Sequence, residues 1–179
     1  MAVSSVIHTV RLRIVPFEER HLTARYLGWL NDPDVVRYSE QRHRTHTMES
    51  CRAYFESFRG TSNYFWAIEE TAQGHGHIGN LNAYVDIKNL VADMGIIIGE
   101  KRLHGHGYGR EALDGICCFL LKDAGLRKVT VGMMAANRPM INLARGLGMV
   151  EDGVRRRHFL FENHEEDMVH FAMFKGDIS

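Results

Sequence analysis

A chain of 179 residues is long enough for one domain with a substantial core, and 45% apolar with 25% charged residues is ordinary for a soluble globular protein. Lys+Arg and Asp+Glu both number 22, so the formal net charge is zero, which argues against nucleic acid as the main partner. No apolar run approaches the ~20 residues that span a membrane, the N-terminal stretch lacks a signal-peptide hydrophobic region, and Cys51, Cys117 and Cys118 form no disulfide framework, so a reducing, cytoplasmic setting is expected.

In chain order, Val10 to Val15 alternates apolar and polar residues as a half-buried strand does, with Pro16 beyond most of it. Glu18 to Leu30 reads as a helix with Leu22, Tyr26, Trp29 and Leu30 on one face, broken by Asn31-Asp32-Pro33. Asp34 to Glu40 reads as a further helical turn. Thr47 is a suitable N-cap for a helix from Met48 to about Arg59, which Gly60 stops. Three strands follow, Tyr64 to Glu69, His77 to Val85 and Val91 to Ile98, with connections short enough for an antiparallel meander. A helix from Tyr108 or Gly109 to about Ala124 ends at Gly125. Lys128 to Met134, the fifth strand, then lies parallel to the fourth through a right-handed crossover. A short helix starts near Pro139 and ends at Gly148, and Val154 to Phe161 with Asp167 to Phe174 closes the chain as a hairpin. The fold class is α/β: a mixed, mostly antiparallel sheet of six to seven strands flanked by helices. With no repeat or linker, residues 1–179 are read as one domain.

The densest signal is the stretch from residue 91 to 111. A buried-strand run, Met94 to Ile98, leads into a loop with Gly105, Gly107 and Gly109 at alternate positions and then into a helix start. Glycines let several backbone N–H groups face one point, and the free amides and dipole of a helix start attract an anion. Gly74-His-Gly76-His-Ile-Gly79 is literally GxGxxG, but a strand pattern follows where a dinucleotide site needs a helix, so it reads as a hairpin turn. The His75/His77 and His104/His106 pairs have no partner Cys or carboxylate at ligand spacing, and no metal is expected. Arg155-Arg156-Arg157 reads as a charged edge strand.

Arg102-Leu103-His104-Gly105-His106-Gly107, reinforced by Gly109-Arg110-Glu111-Ala112, resembles the Arg/Gln-x-x-Gly-x-Gly/Ala loop of the GNAT acyl-CoA N-acyltransferases. Asn137 and Gly146-Leu147-Gly148-Met149 also match, and the N-terminal Thr9 to Arg13 and Trp29 to Pro33 look like the branch that acetylates ribosomal-protein N-termini and many small amines. The resemblance implies a fourth and fifth strand that splay apart. It implies acetyl-CoA as co-substrate, with its pyrophosphate on the amides from about Leu103 through His104, Gly105, His106, Gly107 and Tyr108 to Gly109. The pantetheine arm would pair with backbone groups of Ile96, Ile97 and Ile98, with Arg102, Asn137 and Asn142 also at the cofactor. The acceptor cleft would include Trp29, Arg37 and Tyr38.

Direct attack of an amine on the thioester needs a general base, because a free amine with a pKa near ~10 is mostly protonated at neutral pH. Asp93 shares a strand face with Gly95 and Ile97 and is the first candidate, with Glu69 next. Ala144 stands where many relatives carry a Tyr that protonates the departing thiolate. The expected activity is acetylation of a primary amine, preferably a small molecule such as an amino sugar or sugar nucleotide. A protein N-terminus or a non-catalytic acyl-CoA sensor are the alternatives. Oligomeric state is left open, with a homodimer through the closing hairpin or a sheet edge as the candidate.

Overall fold

The computed structural model describes residues 6–177. Its elements are β1 (Ile7–His8), β2 (Leu12–Pro16), α1 (Ala24–Leu30), α2 (Met48–Glu56), β3 (Tyr64–Glu70), β4 (Gly76–Asp86), β5 (Val91–Ile98), α3 (Tyr108–Cys118), β6 (Lys128–Met134), α4 (Arg138–Gly146), β7 (Val150–Phe161) and β8 (His164–Phe174). One sheet orders them β1-β2-β3-β4-β5-β6-β8-β7, with β5 and β6 parallel and every other pair antiparallel.

Eight strands replace the expected six or seven, because the two-residue β1 doubles back on Arg13 and Ile14 and is too short to carry a periodicity. Val10 lies in the intervening turn and is exposed, so the first long strand starts at Leu12, and Pro16 is inside it, paired with Trp66. The expected helix from Glu18 to Leu30 is two pieces. A 3₁₀ turn, Glu19–His21, is capped at its start by the His21 ring accepting the Glu18 N–H at 2.9 Å, and it stops at Leu22, whose ψ of 80° leaves helical geometry. The helix restarts at Ala24 with Thr23 as its cap, its hydroxyl accepting the Tyr26 N–H. Asp34 to Glu40 is a series of turns ahead of a 3₁₀ turn at Glu40–His43 rather than a helical turn. After Cys118, α3 widens into a π turn, Phe119–Asp123, in which Ala124 N–H reaches back to Phe119 O. β7 and β8 are longer than expected because the turn between them is only Glu162-Asn163, both at positive φ (48° and 67°), the geometry that matches strand twist in a two-residue hairpin.

Two apolar layers hold the sheet. Leu12, Ile14, Trp66, Ile68, Ile78 and Leu81 pack under Leu113, Ile116 and Leu120 of α3 and its extension. On the other face Val15, Phe17, Phe65 and Ala67 pack under Tyr26, Trp29 and Leu30 of α1 and Cys51 of α2. β3 is buried over its whole length because it lies between both layers, which is why its sequence is a near-continuous apolar run. α1 and α2 cover β2 and β3 and reach the end of β5 through Ile97. Further along that face Tyr84 of β4 and Asp93 of β5 are exposed, and with β6 and β8 beside them they form the floor on which the rest of the site is built.

Candidate active site

β5 and β6 pair only from Val91↔Lys128 to Met94↔Val131, and beyond that point each continues alone, to Ile98 and to Met134. The strands therefore open like a V whose apex lies at Gly95 and Gly132. Gly99 N–H bonds Ile78 O on β4, and backbone direction alternates along a strand, so Ile97 also faces β4 while Ile96 and Ile98 present their groups to the opening. The Ile98 carbonyl accepts the His104 Nε2–H at 2.7 Å, which ties the following loop to the strand end.

That loop begins with a 3₁₀ turn, Lys101–Leu103, in which Leu103 N–H bonds Glu100 O and His104 N–H bonds Lys101 O. The amides of Leu103 and His104 are thus already engaged, and His106 N–H makes a long 3.4 Å bond to Leu103 O. Gly105 and Gly107 hold φ of 79° and 83°, a region that costs other residues ~1–2 kcal/mol. Gly107 is the N-cap of α3, whose first internal bond is Glu111 N–H to Gly107 O. The amides of Gly105, Gly107, Tyr108, Gly109 and Arg110 consequently have no backbone partner among the described residues, and they fan around the helix start. Arg11 braces the loop from the side: its guanidinium bonds His106 O and the Glu111 carboxylate and lies 4.2 Å over the Tyr108 ring. Arg102 is exposed and paired with Glu100.

α4 flanks the other arm of the V. Asn137 caps it, its Oδ1 accepting the Met140 N–H at 3.2 Å, and Asn142 is exposed on its surface. Ala144 is fully buried in the core, so this helix presents no hydroxyl there. Arg110 bonds Gly146 O and so links α3 to the end of α4.

The cleft floor carries polar groups that strand pairing aligns. Asp93 is exposed, lies opposite Tyr84 and Thr130, and accepts the Thr130 hydroxyl at 2.7 Å. The Tyr84 and Tyr54 hydroxyls are 3.0 Å apart. At the apex, Asn82 lies across Gly95, where a Cβ would sit 2.8 Å from its Oδ1, and His170 lies across Gly132, where a Cβ would sit 3.1 Å from its Cε1 and 3.2 Å from its Nδ1. A strap from residue 31 to 47 bounds one side. In it Tyr38 packs on Phe161, Arg37 pairs with Glu162, and Arg42 bonds Leu160 O at the tip of the β7–β8 hairpin. Asn82, Tyr84, Thr130 and His170 went unseen in the sequence, since alternation assigns a residue to a face but not to the neighbour it meets across the sheet.

Glu69 lies two strands from the opening. One oxygen accepts from Arg13, the other from Arg20 and the His21 Nε2–H. Burial alone would raise this carboxyl; the hydrogen bonds from Arg13, His21 and Arg20 outweigh it and hold it at about 2. Burial pushes the neighbouring His77 down to about 4. Trp29 is buried against His77, with its ring over Gly99 so closely that any Cβ there would overlap it, which makes it a packing residue at the end of β5. The triple arginine lies exposed on β7, the sheet edge, next to a bulge, with Arg156 on Asp167 and Arg157 on Glu165.

Comparison with known proteins agrees with this geometry. The profile of the family described as Acetyltransferase (GNAT) domain matches residues 11–150. An N-acetyltransferase 9-like protein of Caenorhabditis briggsae is 24% identical over 138 residues, covering 73% of this chain and 69% of that protein. A spermidine N-acetyltransferase from Vibrio cholerae, solved with CoA and spermine, superposes with a TM-score of 0.83 at 16% identity, covering 94% of this chain and 98% of that one. A ribosomal-protein-S5-alanine acetyltransferase from Vibrio fischeri gives 0.81 at 14% identity, covering 98% and 99%. At these identities the two solved structures establish a shared fold.

Proposed function

The chain belongs to the acetyltransferase (GNAT) family, and on that premise we propose that it moves the acetyl group of acetyl-CoA to the primary amine of a small hydroxylated molecule, an amino sugar before a sugar nucleotide, by direct attack. The observation that carries the acyl-CoA half is the junction of two features on one strand. β5 ends in a V with an open backbone edge at Ile96, the Ile98 carbonyl being held by His104, and leads directly into five amides without backbone partners around a helix start. The amides of Gly105, Gly107, Tyr108, Gly109 and Arg110 take the pyrophosphate. The open edge takes the pantetheine amides, with the Asn137 side chain beside it. Ile97 faces away, and the loop amides of Leu103 and His104 are engaged elsewhere, so the cofactor assignment is narrower than residue-by-residue analogy implies. Acetyl-CoA supplies the activated thioester; the chain's contribution is positioning and hydrogen bonding at the developing oxyanion.

The acceptor half rests on the cleft floor. Asn82, Tyr84 and Thr130 are neutral hydrogen-bonding groups suited to hydroxyls, and the Asp93 carboxylate draws an ammonium toward the apex. The charge of Arg37 is already matched by Glu162, which removes the reason to favour a phosphorylated acceptor, and the strap that Arg37 helps to hold bounds the cleft against a long chain. Glu69 belongs to the scaffold in this reading, because both its oxygens are engaged. The missing hydroxyl at Ala144 leaves the thiolate to be protonated from solvent. Release of free thiol from acetyl-CoA, measured with glucosamine, a UDP-linked amino sugar, spermidine and an alanine-terminated peptide, tests the proposal. Turnover of glucosamine above the other three is the expected result; CoA binding without thiol release from any amine would leave an acyl-CoA sensor instead.

A further inference from the structure

The apex of the V is flanked by a glycine on each side. On β5 the side-chain position is vacated by Gly95, and Asn82 of β4 leans across it; on β6 it is vacated by Gly132, where the Met168 methyl of β8 sits with the His170 ring beside it. Each glycine thus leaves room for a polar side chain at the opening, on the β6 side shared with a flexible methionine. Three strand spacings of ~4.8 Å separate the two Cα atoms, roughly 14 Å before any splay, and both side chains point inward from there. Neither ring nitrogen of His170 has a hydrogen-bond partner among the described residues, and only Nε2 is sealed from solvent. Nδ1, on the Gly132 side, is the nitrogen left available. Other carboxylates and imidazoles nearby are committed: Asp93 to Thr130, Glu162 to Arg37, and His164 to Glu166.

We propose that His170 is the proton-accepting catalytic residue and that Asn82 holds the acceptor nitrogen opposite it across the apex, an assignment that rests on the acetyl-transfer reading above. The Asn82 carboxamide accepts one N–H of the incoming ammonium, and His170 Nδ1 removes a second of its protons. The freed nitrogen pair attacks the thioester carbonyl and forms the C–N bond. The C–S bond then breaks, its electron pair leaving on sulfur. The surplus proton on nitrogen passes through solvent to the thiolate, and His170 returns its proton to solvent. The balance is ammonium plus acetyl thioester giving amide, free thiol and one proton. Asp93, two residues below Gly95 and so ~6.6 Å further down the strand, attracts the ammonium without needing to reach its proton.

The test measures thiol release by His170→Ala, with the acceptor that supports turnover of the unsubstituted protein, and CoA affinity by calorimetry. General-base removal predicts a kcat lower by about 100-fold or more, CoA affinity unchanged, and partial restoration by added imidazole, which a merely structural role would not give. Gly132→Ala is a second, independent variant that keeps the histidine. Its Cβ would crowd the ring and Met168, and the same loss in kcat is expected. Asn82→Ala should raise KM for the amine more than it lowers kcat. A kcat for His170→Ala within twofold of the unsubstituted protein overturns the assignment while leaving acetyl transfer standing. Loss of CoA binding or of the folded state in that variant, with no imidazole rescue and full activity in Gly132→Ala, overturns it also. Absence of thiol release by the unsubstituted protein overturns both readings.

Discussion

The cluster around Glu69 and the opening between β5 and β6 are both rich in polar side chains on the same face of the sheet, yet they are built in opposite ways. In the first, one carboxylate is met by two guanidiniums and an imidazole, so every strong acceptor site is engaged and the carboxyl is held at about 2. In the second, amides at the start of α3, the edge at Ile96 and the His170 ring are left without partners among the described residues. The first arrangement fixes Arg13, Arg20 and His21 around the end of β3. The second has hydrogen-bonding capacity left for something else. In the proposed reading, unengaged hydrogen-bonding capacity rather than density of charge marks the site.

The largest separation of the two regions should come from Gly107→Val. A side chain at φ 83° is strained, its Cβ falls 3.4 Å from the Arg11 guanidinium, and in the proposed reading it stands where phosphate approaches the amides. CoA affinity by calorimetry should fall about 100-fold or more, while the Glu69 cluster and its contribution to stability stay intact. Equal CoA affinity in the two proteins would remove the loop from the site.

Glu69→Gln should do the reverse, lowering stability on the order of 2 kcal/mol near neutral pH with kcat within a few-fold of the unsubstituted protein. The pH dependence has a definite sign. Glu69 is depressed to about 2 when folded, against ~4.3 for an unfolded glutamate, so its contribution is complete above ~4.3 and is lost as pH falls toward 2. Urea melts at a series of pH values should show the two proteins converging over that window. A constant difference down to pH 2 would mean that the substitution acts through packing alone.

The smallest effect belongs to Arg37→Ala. Both Arg37 and Glu162 are half exposed, and ion pairs of that kind contribute little. The strap keeps its other ties through Tyr38, Phe161 and Arg42. KM for the acceptor should change by less than about threefold and the melting temperature should hold. A tenfold rise in KM would mean that Arg37 meets the acceptor directly, and would restore the case for an anionic one.

The sequence by itself determined the local parts of this protein. Glycines at 105, 107 and 109 after an apolar run specify a strand, a left-handed loop and a helix start, because positive φ and an uncapped N-terminus are properties of neighbouring residues. Thr47 as a cap, Gly125 as a stop and the GxGxxG decoy as a β3–β4 turn are local for the same reason, whereas α2 ends at Glu56, short of Gly60. What only the tertiary structure decided is who meets whom. Asp93 and Glu69 are equivalent in sequence, each a carboxylate on a strand, and pairing separates them: one faces the cleft beside Thr130, the other is enclosed by residues 48 to 56 positions away. Asn82 and His170 carry no motif at all. They gain their place because β4 and β8 lie beside the two strands that part, and a pattern of period two cannot say which strand lies next to which. Gly95 and Gly132 are where the V opens, and Asn82 and His170 lie against them.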